Sequence, residues 1–164
     1  MSGGHDGLAP VVHLLCGLNG AGKTTHARKL EAAGAVRFSL DEWMLVLHPD
    51  LRFDAPGWPL RADRCRELVW ATAQQVLRLG SDVVLDWNLW DADRRRRWAA
   101  RVRSAGYQPL LHHVRADLTS ATERAAVGGP QRYALQREEV EHLARLFVAP
   151  TPDEGIPLVE VTAG

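Results

Sequence analysis

Residues Gly17-Leu18-Asn19-Gly20-Ala21-Gly22-Lys23-Thr24 follow directly on the apolar run Val11 to Cys16. They fit G-x-x-x-x-G-K-[ST], in which glycines let the chain turn sharply and aim successive backbone N–H groups at one anion. A buried strand that ends on such a loop and passes into a helix belongs to a parallel sheet. The order strand, loop, lysine, hydroxyl, helix therefore restricts the fold to the α/β class. On this reading Gly17, Asn19, Gly20, Ala21, Gly22, Lys23, Thr24 and Thr25 surround the phosphates of a nucleotide. Lys23 reaches the β- and γ-phosphates and the Thr24 hydroxyl binds Mg²⁺, while Thr25 is a packing or phosphate-edge residue.

The rest of the chain continues the alternation. A helix over 24–33 stops at Gly34, and Val36 to Leu40 forms a second strand. Three prolines and a glycine make 48–60 a loop. A long helix over 60–79 follows, with Cys65, Leu68, Thr72, Val76 and Leu79 on its apolar face. Val83 to Trp87 is a third strand. Asp91 caps a helix that runs to Ala105. A strand over 110–114, a short helix over 118–127, a break at Gly128-Gly129-Pro130, a helix over 136–147 and a last strand over 156–161 complete the pattern. This predicts one domain over 11–164, preceded by a flexible leader at 1–10 and carrying a lid near 115–135.

Composition narrows the function classes. The 164 residues carry 20 basic and 20 acidic side chains, so no general field draws nucleic acid or a membrane surface. No apolar run has the length of a membrane span, and the first ten residues lack the pattern of a signal peptide. The two cysteines, Cys16 and Cys65, have neither metal-ligand nor disulfide-framework spacing, which suits a reducing cytoplasm. A monomer or weak homodimer is expected.

In a parallel sheet the ligand crevice lies beyond the carboxyl ends of the strands, and Asp41 and Asp86 both fall there. Asp41 is the candidate orienting or general base for an acceptor hydroxyl, or else a cap or turn residue. Asp86 either holds Mg²⁺ through water, binds the acceptor, or is structural and pairs with Lys23 or Thr24. Asp82, before the third strand, is at the wrong end for chemistry. Charge building on the transferred phosphoryl group calls for an arginine fork. Arg115, Arg124, Arg132 and Arg137 lie near the lid, with Arg124 the leading candidate and Arg132 able to swing in. Arg94 to Arg97 are spread around a helix and are solvated or paired with Asp91 and Asp93. Arg61 and Arg64, after the proline-rich loop, are candidates to line the acceptor pocket. Among six tryptophans, Trp43, Trp87 and Trp90 lie beside the two acids and either wall an acceptor site or pack the sheet. Trp58, Trp70 and Trp98 read as packing.

These residues together resemble the small P-loop kinases of the AAA_33 type. Their relatives include gluconate kinases, the polynucleotide 5′-kinase domain, zeta-type toxins and chloramphenicol phosphotransferase. The resemblance rests on Gly17 to Thr24, Ser39-Leu40-Asp41-Glu42-Trp43, Val84-Leu85-Asp86, and a C-terminal stretch from Phe147 through Pro150-Thr151-Pro152-Asp153-Glu154-Gly155. It implies a P-loop three-layer sandwich with a five-stranded parallel sheet in the order 2-3-1-4-5. It also implies ATP-dependent phosphorylation of a small molecule's hydroxyl, with Asp41 as base, Arg124 as the lid arginine and the proline-containing tail beside the adenine pocket. Two positions depart from the pattern. Met44 stands where polynucleotide-kinase-like members carry arginine, and Gly128-Gly129 replace an Arg-Asn pair of the lid.

The leading expectation is therefore a phosphotransferase using Mg-ATP and a small hydroxylated acceptor such as a sugar, nucleoside or antibiotic. The alternatives are a nucleotide hydrolase or switch acting through a protein partner, and a nucleotide-binding protein with a decayed lid.

Overall fold

The computed structural model describes residues 9–127 and 137–162. Most of the expected leader, the Gly128-Gly129-Pro130 break and Arg132 lie outside the described residues. Five parallel strands form one sheet in the order β2-β3-β1-β4-β5: β1 (Val11–Cys16), β2 (Val36–Ser39), β3 (Val83–Asn88), β4 (Gln108–Arg115) and β5 (Leu158–Thr162). The helices are α1 (Lys23–Ala32), α2 (Leu40–Leu47), α3 (Trp58–Arg78), α4 (Ala92–Ser104), α5 (Leu118–Val127) and α6 (Arg137–Leu146), with one turn of 3₁₀ helix at Pro152–Glu154 before β5. No helix among the described residues is long and apolar enough to cross a membrane.

Strand alternation divides the core. Val12, Leu14 and Cys16 of β1 and Val83, Leu85 and Trp87 of β3 point into a large cluster with α3 and α4. Leu15 and Val84 point the other way, onto Ala27 of α1. Two expectations need correction. The second strand, expected over 36–40, ends at Ser39, whose Oγ accepts from Glu42 N at 3.3 Å and caps α2. The buried face of α3 is also rotated from the expected one. Ala62, Cys65, Val69, Ala73 and Leu77 are buried, whereas Leu68 and Leu79 are 56% and 85% exposed. The expected N-cap at Asp91 is present, with Oδ1 accepting from Arg94 N at 2.7 Å.

Under α1 lies a chain of imidazoles. His13 Nδ1 and His112 Nε2 are 2.9 Å apart, and His112 Nδ1 and His26 Nε2 are 3.0 Å apart. His13 also faces Asp82, whose other oxygen accepts from Val11 N. Burial and the neighbouring rings push His112 down to about 4, and burial lowers His13 and His26 as well. A proton on His112 turns an acceptor nitrogen into a donor facing another donor. The unfolded chain binds that proton near pH 6.5 and the folded chain only near 4, so stability is complete above the first value and falls on acidification between the two. The slope is up to about 1.4 kcal/mol per pH unit per imidazole. Urea midpoints at neutral pH and near pH 5 should show this fall, and His112→Leu should flatten it; an unchanged slope in that variant would refute the assignment.

Candidate active site

The phosphate loop is held in shape from below and left open above. A Cβ on Gly17 would collide with the Val114 carbonyl oxygen at the end of β4, and one on Gly20 with the Ala121 carbonyl oxygen of α5. Both loop glycines are therefore required by close backbone approach. Gly22, with φ +100°, starts α1 in the left-handed region, and no side chain caps that helix and no acidic residue occupies its first turn. By contrast α2 and α4 are capped by Ser39 and Asp91. The N-terminal N–H groups of α1 thus remain directed at an incoming anion. Lys23 Nζ donates to Gly17 O at 3.1 Å and Leu18 O at 2.7 Å, lying along its own loop. Asn88 Nδ2 at the end of β3 donates to the same Gly17 oxygen at 2.9 Å. Burial pushes the Cys16 thiol up to about 12, so the cysteine beside the loop is no nucleophile.

One cleft brings the sequence candidates together. Gly17, Asn19, Gly20, Gly22, Lys23, Thr24, Thr25, Asp41, Asp86, Trp87 and Trp90 all line it, whereas Ala21 is fully buried beneath. Asp41 is exposed at the start of α2. Asp86 lies on the same face of β3 as Val84 by ordinary alternation. The register with β1 shifts there: Leu14 faces Leu85 but Leu15 faces Asn88, leaving Asp86 and Trp87 as extra residues.

The partner of Asp86 was not foreseen. It is Arg37 of β2, whose Nη1 donates to Asp86 Oδ2 at 2.9 Å, while the Lys23 charge also favours the ionised Asp86 carboxylate. Arg37 also grips Glu42 at 2.8 and 3.0 Å and Glu31 at 3.2 Å. Burial pushes the Asp86 carboxyl above its ordinary range, against the pull of Arg37.

The arginine and tryptophan expectations are redistributed. Arg61 and Arg64 are exposed and do not line the cleft; Arg61 donates to Gly57 O instead. The α3 cation on the cleft wall is Arg66, whose side chain is 13% exposed and bonds Asp63 Oδ1 at 2.6 Å. Arg124 is exposed, donates to Ser120 O at 3.2 Å and does not line the cleft. Trp43 packs edge-on against Phe38 beside the core and is not on the wall. Trp58, expected in packing, lines the cleft with Phe53 and Phe147. Met44 is fully buried, so the position three residues after Asp41 presents nothing to a ligand. The C-terminal signature has a structural role: Glu154 forms a buried pair with Arg95, and Thr151 and Glu154 form a capping box.

Comparison with known proteins agrees with this geometry. The AAA_33 family, described as an AAA domain, matches residues 12–150. The chain is similar to the "putative kinase" of Chloroflexus aurantiacus, with TM-score 0.69, 22% identity, and 94% of this chain and 89% of that one covered. Chaetomium thermophilum Kti12, solved with ADP-AlF3, superposes with TM-score 0.69 at 20% identity over 93% of this chain and 89% of its own. A chain of the Pnkp1/Rnl/Hen1 RNA repair complex gives TM-score 0.69 at 17% identity over 89% of this chain, which spans 47% of that longer one. No curated protein matches in sequence. With an uncapped helix behind its glycine loop, a 2-3-1-4-5 sheet and a match over most of its length, the chain belongs to the AAA_33 family of small P-loop kinase-like domains.

Proposed function

We propose that this protein transfers the γ-phosphoryl group of ATP to a hydroxyl of a small molecule. The observation that carries the reading is one cleft shared by the phosphate loop, Asp41 and a set of aromatic side chains. The uncapped α1 terminus and the two glycines that admit no Cβ fit a polyphosphate. The Thr24 hydroxyl and the Asp86 carboxylate, both on the wall, are the hard oxygen donors that suit Mg²⁺. Mg²⁺, when bound, draws charge from the β- and γ-phosphate oxygens.

The chain's own groups divide the remaining work. The loop N–H groups and Lys23 hold the phosphates, Lys23 leaving its resting bonds to Gly17 O and Leu18 O to do so. Asp41 accepts the proton of the acceptor hydroxyl as its oxygen bonds to the γ-phosphorus and the bond to the β,γ-bridging oxygen breaks. Arg66 supplies positive charge from the cleft wall, and Arg124 joins only if its helix turns toward the loop. The buried Met44 removes a cation from the acceptor side, which disfavours a polynucleotide end as substrate. Cys16 and Cys65, both free and buried, accord with a cytoplasmic protein.

The test is a mass-spectrometric screen of hydroxylated metabolites and antibiotics with Mg-ATP, with Lys23→Ala as control. Phosphorylated acceptor and matching ADP are expected with the unaltered protein alone. ADP release that proceeds at the same rate without any acceptor would replace this reading by a hydrolase or switch.

A further inference from the structure

Among the described residues, Arg95, Arg37 and Arg66 keep their side chains largely buried, at 0%, 8% and 13% exposed. The first two use every nitrogen. Arg95 Nε and Nη2 hold the two Glu154 oxygens, and its Nη1 donates to Leu89 O and Val148 O. Arg37 sends Nε, Nη1 and Nη2 to Glu31, Asp86 and Glu42. Arg66 differs: it donates from Nη1 alone, to Asp63 Oδ1 at 2.6 Å, and that carboxylate is itself exposed. A guanidinium carries five N–H donors, and buried donors are nearly always paired. The Nε and Nη2 of Arg66 have no partner among the described residues. Neither belongs to the fully buried unpaired atoms, so both keep a surface that a ligand can reach. Arg66 lines the cleft.

The unused edge is the one that Arg95 turns to a carboxylate, Nε and Nη2 each meeting a Glu154 oxygen at 2.7 Å. This two-point fit matches a planar carboxylate and fixes its orientation. The surroundings favour one negative charge there. Burial lowers the Arg66 pKa in spite of Asp63, and the charge of Arg94 adds to that pull. An anion on the free edge offsets both. A phosphate dianion is less suited, because the carboxylates of Asp41 and Asp86 lie on the same wall.

Arg66 also stands on the acceptor half of the cleft. The first turn of α2 carries Asp41; α2 packs on α3, and both contact β3. Lys23, the other cation on the wall, lies along the phosphate loop through Gly17 O and Leu18 O. We propose that the acceptor is a hydroxy acid, and that the Nε–Nη2 edge of Arg66 binds its carboxylate while its hydroxyl faces Asp41. The substrate class rests on the phosphotransfer reading, but the carboxylate site is measurable without nucleotide.

Isothermal titration should compare acids with amides of the same shape: glycerate with glyceramide, lactate with lactamide, mandelate with mandelamide. In at least one pair the acid should bind about tenfold more tightly or better, the factor that hydrogen bonds to a charged group supply. Arg66→Gln should abolish that preference. Arg66→Lys keeps the charge but not the fork and should recover only part of it. Asp63→Asn leaves Arg66 in place and removes the competing carboxylate. It should tighten acid binding severalfold, a gain that a structural arginine would not produce, and it decides the matter if Arg66→Gln does not fold. Arg61→Gln, at an exposed position of the same helix, should leave the preference unchanged. The proposal is overturned if every amide binds as tightly as its acid, or if no acid binds up to its solubility. It is also overturned if the preference survives in Arg66→Gln. Loss of Mg-ATP affinity in Arg66→Gln with acid binding intact would place the guanidinium on the nucleotide instead. Acid binding that depends on Arg66 but yields no phosphorylated acid with Mg-ATP would uphold the site and reject the phosphotransfer reading. Phosphoryl transfer to a neutral alcohol, unchanged in Arg66→Gln, would do the reverse.

Discussion

Changing Asp41 to asparagine should lower kcat for acceptor phosphorylation by about 10²–10⁴-fold, the range a positioned general base supplies. Affinity for Mg-ATP should change little, because the loop and Lys23 hold the phosphates and Asp41 stands on a separate element, the first turn of α2. Asparagine has the same size and keeps an acceptor oxygen, so the hydroxyl is still oriented while its proton has nowhere to go. Asp86 is the weaker candidate for this role, since Arg37 already occupies one of its oxygens within a network that includes Glu42 and Glu31. Steady-state kinetics on the acceptor from the screen, with nucleotide affinity measured separately, decide the matter. A kcat within threefold of the unaltered enzyme would assign the base elsewhere. A parallel loss of nucleotide affinity would make Asp41 a binding residue instead.

What the sequence disclosed about this site follows from the range of the forces involved. The glycine loop was legible because its requirements are local: close backbone approach at Gly17 and Gly20, and a helix that begins at once. The two acids were legible because a parallel sheet puts strand ends on one side. The helix after β2 was missed, although Ser39 and Glu42 stand at capping spacing, because Ser39 also closes an apolar strand pattern. Arg61 and Arg64 were candidates because they follow the proline-rich loop, and the expected face of Cys65, Leu68, Thr72, Val76 and Leu79 leaves Arg66 off the buried side. On the true stripe of Ala62, Cys65, Val69 and Ala73, Arg66 lies one turn after Ala62 and one before Trp70. Exposed leucines at 68 and 79 produced the wrong phase, and only tertiary packing corrects it. Arg37 with Asp86 and Arg95 with Glu154 are separated by 49 and 59 residues, and no local pattern joins them. Trp58 reads as a packing residue in sequence because its unpaired N–H exists only in three dimensions.

The largest stability effect should come from Arg95, one of four adjacent arginines expected to be solvated or paired with nearby acids. Its side chain is 0% exposed and that of Glu154 is 3%. Nε and Nη2 donate to the two Glu154 oxygens, each at 2.7 Å, and Nη1 donates to Leu89 O at 3.0 Å and Val148 O at 2.9 Å. Thr151 N adds a bond to Glu154 Oε1 at 3.2 Å. Arg95→Met leaves a buried carboxylate without its cation and should cost about 3–5 kcal/mol. For a chain of this size that lowers Tm by roughly 10 °C or more. The double variant Arg95→Met with Glu154→Leu should recover much of the loss, because two apolar groups leave no charge to desolvate. Arg95 holds the Glu154 carboxyl below its ordinary range. The pair's contribution is therefore complete above the unfolded value of 4.5 and disappears as pH falls through the lower folded value. This window lies on the acid side of the one set by the imidazole chain, so urea melts across pH separate the two. The same arginine ties the cleft walls together, since Leu89 stands between Asn88 and Trp90 and Val148 follows Phe147. Trp90 O also accepts from Val148 N at 2.8 Å. Arg95→Met should accordingly weaken acceptor binding at temperatures where the protein is still folded. A midpoint within about 1 kcal/mol of the unaltered protein, or a double variant no better than the single, would show that this buried pair does not anchor the site.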